Sequence, residues 1–251
     1  MKLILKNIEK SFGKNLVIED GTFTFDQGYV YALLGRNGAG KTTLFKIINK
    51  SLEKDKGEVL LDDGEHVRPL EFEDCFFMVS EPQLPKFLTG REFLNFFASA
   101  NKERIKDPVD IDELLSLVDF DLDDSNRLIQ DYSTGMKNKL QMIMFMLLRP
   151  KLILMDEPLT SLDVIVQIQI KNLIRKIHKD HIIIFSTHIL GLAKDICDKI
   201  VLLHGRKLQG VDELIKDDPD FEETVIKLLT YNPENDYYKL ASKDLIDKKE
   251  D

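Results

Sequence analysis

The sequence is short of several things, and each shortage removes a class of protein. It carries two cysteines in 251 residues, Cys75 and Cys197, far apart and without metal-ligand spacing. That excludes a disulfide framework and a cysteine-based metal centre; the pair is read as reduced, partly buried thiols in a reducing compartment. No apolar run approaches the roughly 18 residues that a membrane-spanning helix needs, and the longest is Met142 to Leu148. A role at a membrane therefore requires a partner. No secretory leader is expected, because Met1 to Glu9 alternates apolar and polar residues as a strand does. Basic residues are in deficit, with a formal net charge of −9. Nucleic acid is accordingly not an expected partner, since duplex-binding surfaces cluster lysine and arginine. Internal repeats and low-complexity linkers are missing too. What remains, at 43% hydrophobic and 31% charged residues, is an ordinary globular chain with material for one large domain or two small ones.

The stretch that organises the rest is Gly35-Arg36-Asn37-Gly38-Ala39-Gly40-Lys41-Thr42. Before it, Tyr29 to Leu34 reads as a short buried strand. After it, Leu44, Ile47, Ile48 and Leu52 recur at helical spacing, so a helix begins near Lys41. Strand, glycine-rich turn and helix form the context in which a G-x-x-x-x-G-K-[ST] pattern acts as a phosphate cradle. Three glycines let the backbone curl so that successive amides point at one anion, and the helix adds its own unpaired amides and dipole. Lys41 would reach the terminal phosphates, and the Thr42 hydroxyl would take one position on Mg²⁺. A nucleoside triphosphate is the expected ligand.

Along the chain, Leu3, Leu5 and Ile8 begin an antiparallel strand, with Leu16–Ile18 and Phe23–Phe25 as its neighbours and a turn at Gly13-Lys14-Asn15. Glu58 to Leu61 is a strand that ends in the turn Asp62-Asp63-Gly64, and Phe76 to Val79 is a compact buried one. Beyond Pro82 and Pro85 the periodicity becomes helical as far as Leu148. Strand character returns at Leu152–Met155, Ile182–Phe185 and Ile200–Leu203, separated by helical segments near 164–177 and 189–196. Strands that alternate with helices imply a parallel sheet with right-handed crossovers. A ligand should then sit beyond the C-terminal strand ends, where Gly35 already lies. From Asp217 the chain is acidic and mixed, and Lys243 to Asp251 is expected to fray.

A second constellation is the apolar strand that ends in Asp156-Glu157. Beside a phosphate cradle, Asp156 suits Mg²⁺, directly or through water, because that ion takes hard oxygen ligands. Glu157 is placed to polarise an attacking water, where position matters more than basicity. The other reading of Asp156-Glu157-Pro158 is a plain turn. Thr187-His188 shares the strand-end placement, and a histidine there can contact the terminal phosphate or orient water. His178 and His181 stand three apart but lack a third ligand, so a solvated helix end is the preferred reading. Tyr132-Ser133-Thr134-Gly135-Met136-Lys137 precedes a helix; Ser133 and Gly135 there make either an anion-holding terminus or an ordinary N-cap.

Taken in order, these motifs resemble the ATP-binding subunit of an ABC transporter over about Met1 to Gly210. The resemblance implies an α/β fold: a P-loop NTPase core with a parallel sheet, an N-terminal antiparallel β subdomain and an inserted helical subdomain. On this basis residues 1–84 and 149–215 form the core, 85–148 the helical signature subdomain and 216–251 an acidic C-terminal extension. The Walker A motif corresponds to Gly35 through Thr42, with Thr43 beside it, and Walker B to Leu152 through Asp156. Glu157 takes the catalytic carboxylate position, Ser161-Leu162-Asp163 the D-loop and His188 the switch histidine. Phe12 falls near the adenine-stacking aromatic. The signature, usually Leu-Ser-Gly-Gly-Gln, departs at Tyr132, Thr134 and Met136 and keeps Ser133 and Gly135. Glu81 replaces the Q-loop glutamine that touches Mg²⁺ and water; in a shifted reading Gln83, two residues on, serves instead. With Thr89-Gly90-Arg91-Glu92-Phe93 following, this resembles small bacterial exporter ATPases that handle drugs or peptides.

The family implication is an ATPase that uses ATP and Mg²⁺, dimerises head to tail with each ATP between one P-loop and the other signature helix, and drives a separate transmembrane permease subunit. Its place would be cytoplasmic, peripheral on the membrane. A groove near Glu81 to Arg91 would receive the permease. The competing reading, a soluble ATPase acting on ribosomes or nucleic acid, is opposed by a single cassette, no sustained heptads and no basic arm. A GTPase is opposed by the lack of any Asn-Lys-x-Asp motif.

Overall fold

The computed structural model describes residues 1–105, 110–159, 164–212 and 219–230. The chain opens with two long antiparallel strands, β1 (Lys2–Phe12) and β2 (Asn15–Asp26), joined at Gly13-Lys14. Leu16–Ile18 and Phe23–Phe25, expected as separate neighbours of β1, are two parts of one 12-residue strand. Three register shifts in its pairing with β1 bend it, so the alternation resets partway and imitates two strands.

Next comes β3 (Val30–Leu34), and then α1 (Lys41–Ile48), which ends before Leu52. β4 (Lys56–Asp62) pairs with β1, and β5 (Val67–Pro69) closes that edge. After β6 (Cys75–Met78) the chain leaves the sheet for three helices: α2 (Gly90–Ala100), α3 (Ile111–Leu117) and α4 (Thr134–Leu148). It re-enters at β7 (Leu152–Asp156) and continues through α5 (Val164–Ile177), β8 (Ile182–Thr187), α6 (Leu190–Ile196) and β9 (Lys199–His204). A short strand without a sequence signal, β10 (Lys207–Gly210), turns back on β9 and meets β2 at the pair Lys207–Asp20, linking the two halves.

The strand order is β5-β4-β1-β2-β10-β9-β3-β8-β7-β6. From β9 to β6 every neighbouring pair is parallel. All residues of β3, β7 and β8 are buried, as expected of strands covered on both faces. Alternate residues sort into two cores. Val30, Ala32, Leu34, Ile153, Met155, Ile183 and Phe185 face one cluster with α4, α5 and α6. Tyr31, Leu33, Leu152, Leu154, Ile182 and Ile184 face the other, with α1 and the antiparallel strands. Tyr31 also accepts the Asp26 amide at 2.8 Å and stacks edge-on to Phe25, which locks the β2–β3 corner.

The acidic C-terminal extension proposed from residue 216 contains an ordered element. Its described part forms α7 (Phe221–Thr230), with Phe221 and Val225 buried against the first core. Phe221, Val225, Leu228 and Leu229 pack on that core and outweigh the acidic first turn, because Glu222 and Glu223 face water. Residues 231–251, including the segment expected to fray, lie outside the described residues.

Phe45 plugs α1 into the second core, fully buried, with its ring 5.9 Å from Phe77. Phe45→Ala is expected to lower stability by about 4 kcal/mol through lost contact and a residual cavity. Denaturant unfolding of the purified chain checks this, and a loss under about 1 kcal/mol would mean that α1 is not anchored as described.

Candidate functional site

The loop between β3 and α1 emerges at the C-terminal edge of the parallel strands. Gly35 is buried, and a Cβ there would come within 2.8 Å of the Leu203 carbonyl oxygen. Gly40 has φ +104, in the left-handed region, and a Cβ on it would meet Val17 at 2.7 Å. Only glycine satisfies both constraints. Gly40 stands at the N-cap of α1, where no side chain caps the helix, so the first amides keep their donors. Arg36, Asn37 and Gly38 are exposed, while Ala39 and Thr43 are half-buried.

Lys41 is 7% exposed, and its ammonium donates to the carbonyl oxygen of Gly35 at 2.8 Å and of Arg36 at 3.4 Å. Burial holds its pKa below the ordinary lysine value, against the opposing pull of Glu157 and Asp156. A cation that is only partly compensated within the loop is well suited to an incoming anion.

Behind the loop, β7 delivers Asp156 and Glu157. The Thr42 hydroxyl donates to Asp156 Oδ2 at 2.7 Å, and the Ser186 hydroxyl donates to Asp156 Oδ1 at 2.6 Å. Ser186 Oγ also accepts the Glu157 amide at 3.0 Å. Glu157 has φ +50, an uncommon conformation for a non-glycine residue, and it turns the chain sharply at the strand end. His188 Nδ1 lies 3.0 Å from both carboxylate oxygens of Glu157. Lys41, Thr42, Asp156, Glu157 and His188, proposed separately from sequence, thus stand in one cluster.

Other expected site residues lie elsewhere. Phe12, half exposed at the end of β1 with Lys10 Nζ 5.5 Å over its ring, pairs with Asn15. Asn15 lines a cleft of about 380 Å³ shared with Val17, Arg36–Ala39 and Leu203–Arg206. Glu81 is exposed in the segment after β6. The Ser133 hydroxyl accepts the Met136 amide at 3.2 Å, an ordinary N-cap for α4, and Gly135 follows in its first turn. Among the described residues no hydrogen bond or ion pair joins Glu81, Ser133 or Gly135 to the cradle. Asp163 lies outside the described residues.

His178 and His181 turn their Nδ1 atoms to different carbonyls, those of Arg175 and Pro150, which fits the solvated-end reading over a metal pair. Cys75 and Cys197 are both buried and neither forms a disulfide, and burial raises the Cys75 pKa far above the thiol range. Among the described residues no group of three or more His, Cys, Asp or Glu gathers to hold a metal. No described helix is long and apolar enough to cross a membrane.

Sequence reasoning missed Ser186. Its signal was faint, a small polar residue one position before Thr187-His188 at the end of an apolar strand. Its importance comes from the register that places it beside Asp156.

Residues 18–160 match the family model described as ABC transporter. The ABC transporter ATP-binding protein YhcH of Bacillus subtilis, itself uncharacterized, is 31% identical over 229 residues, which is 88% of this chain and 73% of that protein. The sulfate/thiosulfate import ATP-binding protein CysA of Synechocystis is 29% identical, covering 84% of this chain and 60% of that one. A solved ATP-binding subunit of an ABC transporter superposes with a TM-score of 0.76 at 26% identity, over 92% of this chain and all of the other.

Ser186→Ala removes one donor from buried Asp156 and the acceptor of the Glu157 amide. The expected cost is about 2 kcal/mol of unfolding free energy. Thermal unfolding at neutral pH checks it, and an unchanged midpoint would show that the Asp156–Ser186 bond does not hold the strand ends together.

Proposed function

This chain belongs to the ABC transporter family as an ATP-binding subunit, and from that premise we propose that it is the motor of an exporter. It is an ATPase, and such subunits work with transmembrane permease partners. The observation that carries the site assignment is the cluster in which Thr42 and Ser186 clamp Asp156 while His188 holds Glu157. It stands directly behind an uncapped helix terminus and a buried lysine.

In this reading the loop Gly35–Thr43 holds the triphosphate with backbone amides and the Lys41 ammonium. Phe12 stacks on the base. The Thr42 and Asp156 oxygens are 2.7 Å apart. Both are hard oxygen donors of the kind that suits Mg²⁺ and would hold it, with Glu81 as a further oxygen donor. Bound there, Mg²⁺ would neutralise phosphate charge. Glu157 accepts a hydrogen bond from the attacking water and aligns it, and His188 keeps the carboxylate pointed at that water. Ser133, Gly135 and Asp163 serve the nucleotide of a second subunit placed head to tail. ATP then acts as a ligand that favours the closed pair.

The division into core, helical subdomain 85–148 and C-terminal extension follows the same reading. Outward transport of a drug or peptide rests on Glu81 at the Q-loop position and on the stretch Thr89–Phe93. The chain works on the cytoplasmic face, attached to the membrane through its permease.

Glu157→Gln is expected to bind ATP, to hydrolyse it about 1,000-fold more slowly and to accumulate as a closed dimer. Light scattering at saturating ATP measures this, and a variant that stays monomeric sinks the head-to-tail model. The transport reading is checked by capturing the native protein from detergent-solubilised membranes of its own organism. A polytopic membrane protein should co-purify; ribosomes, or nothing, would overturn the motor assignment and leave the ATPase.

A further inference from the structure

We propose that Tyr132 is a positioning residue whose hydroxyl couples the placement of Ser133 to the segment Lys86–Gly90. The proposal rests on the reading above that Ser133 faces the nucleotide of a second subunit.

Tyr132 is 5% exposed and stands immediately before the Ser133 cap. Its hydroxyl donates to the Asp124 carbonyl at 2.8 Å and accepts the Gly90 amide at 3.2 Å. Its ring packs on Phe120, with centroids 5.5 Å apart. Burial raises the phenol pKa above its ordinary value, so the hydroxyl stays protonated and can serve both partners. The fit is tight, because a Cβ on Gly90 would lie 2.4 Å from the Tyr132 oxygen. The leucine usual at this position of the signature could fill the apolar space and make neither bond.

Tyr132 is the last rung of a ladder. The Gln130 amide donates to the Lys86 carbonyl at 3.3 Å, the Ile129 amide to the Leu88 carbonyl at 2.9 Å, and Thr89 bridges Leu128. Arg91 Nε, one residue past Gly90, donates to Asn126 Oδ1 at 3.3 Å and steadies the turn that presents the Asp124 carbonyl.

At the other end of the segment, the Gln141 side chain pairs with both backbone groups of Val79. Its Oε1 accepts the amide at 3.1 Å and its Nε2 donates to the carbonyl at 3.0 Å. Gln141 belongs to α4, the helix that Ser133 caps. The stretch from Val79 to Gly90, which carries Glu81, is therefore held at both ends by α4 and its leader. Displacing Gly90 displaces Tyr132 and with it Ser133, because Gly90 and Tyr132 are buried, joined by a hydrogen bond and packed too closely to move separately. The backbone bonds of Leu88 and Lys86 extend that link along the partly exposed segment.

The test uses the full chain with Glu157→Gln, in which ATP drives association. Adding Tyr132→Phe is expected to weaken that association at least fivefold, the lower end of typical coupling. ATP affinity of the single subunit, read by calorimetry, should not change. If the Glu157→Gln parent itself fails to associate, the reading of Ser133 falls and takes this proposal with it. If the parent associates and the double variant associates equally well, the proposal alone is overturned, including where Tyr132→Phe merely lowers the melting temperature.

Gly90→Ala approaches the same hydroxyl from the other side and serves if Tyr132→Phe does not fold. It should weaken association to a similar extent, and where Tyr132→Phe does fold the two losses should not add in the combined variant. Simple additivity would show that the residues act independently.

Discussion

The bond on which most of the structure turns is the clamp around Asp156. A carboxylate that is 7% exposed is tolerated only when its oxygens are hydrogen-bonded, and here each has one hydroxyl donor. Those donors come from different elements. Thr42 lies at the start of α1, and Ser186 lies near the end of β8. Satisfying Asp156 therefore fixes the helix that follows the glycine loop relative to two central strands. The strand ends, the loop and the helix terminus meet because one buried charge needs them to.

Around that clamp the site collects features that fold stability alone would not select. Glu157 adopts a positive φ, Lys41 is buried at the cost of a lowered pKa, and α1 begins without a side-chain cap. Each is unfavourable locally, and the two apolar cores on either face of the sheet make them tolerable. Strain and incomplete compensation gathered at one strand edge mark this cluster as the candidate functional site.

The helices between β6 and β7 are joined to the sheet in a different manner. Their apolar faces extend the first core, yet the approach to α4 is fixed by polar bridges, the Tyr132 hydroxyl and the Gln141 amide. Polar bridges specify direction where apolar packing specifies only contact. The Ser133 cap and the segment after β6 consequently share one frame, although no hydrogen bond joins either to the cradle among the described residues.

Much of this was legible in the sequence because its signals are local. The run Tyr29–Leu34, the glycines and the helical spacing after Lys41 gave strand, loop and helix in order, and Asp156-Glu157 and His188 marked strand ends. Two features were misleading or silent. The bulged pairing of β1 with β2 reset the alternation and made one strand look like two, and β10 was too short to leave a pattern. Ser186 and Gln141 gave no usable sign either, since a serine at a strand end and a glutamine inside a helix are ordinary until their neighbours are known. What the sequence determined by itself were the elements and the chemistry at their ends, because periodicity and backbone-special residues act over a few positions. Tertiary structure alone decided which ends meet. The register that sets Ser186 beside Asp156, and the crossing that brings Tyr132 to Gly90, join residues 30 and 42 positions apart, and those pairings are settled by burial of whole strand and helix faces, which no local pattern encodes.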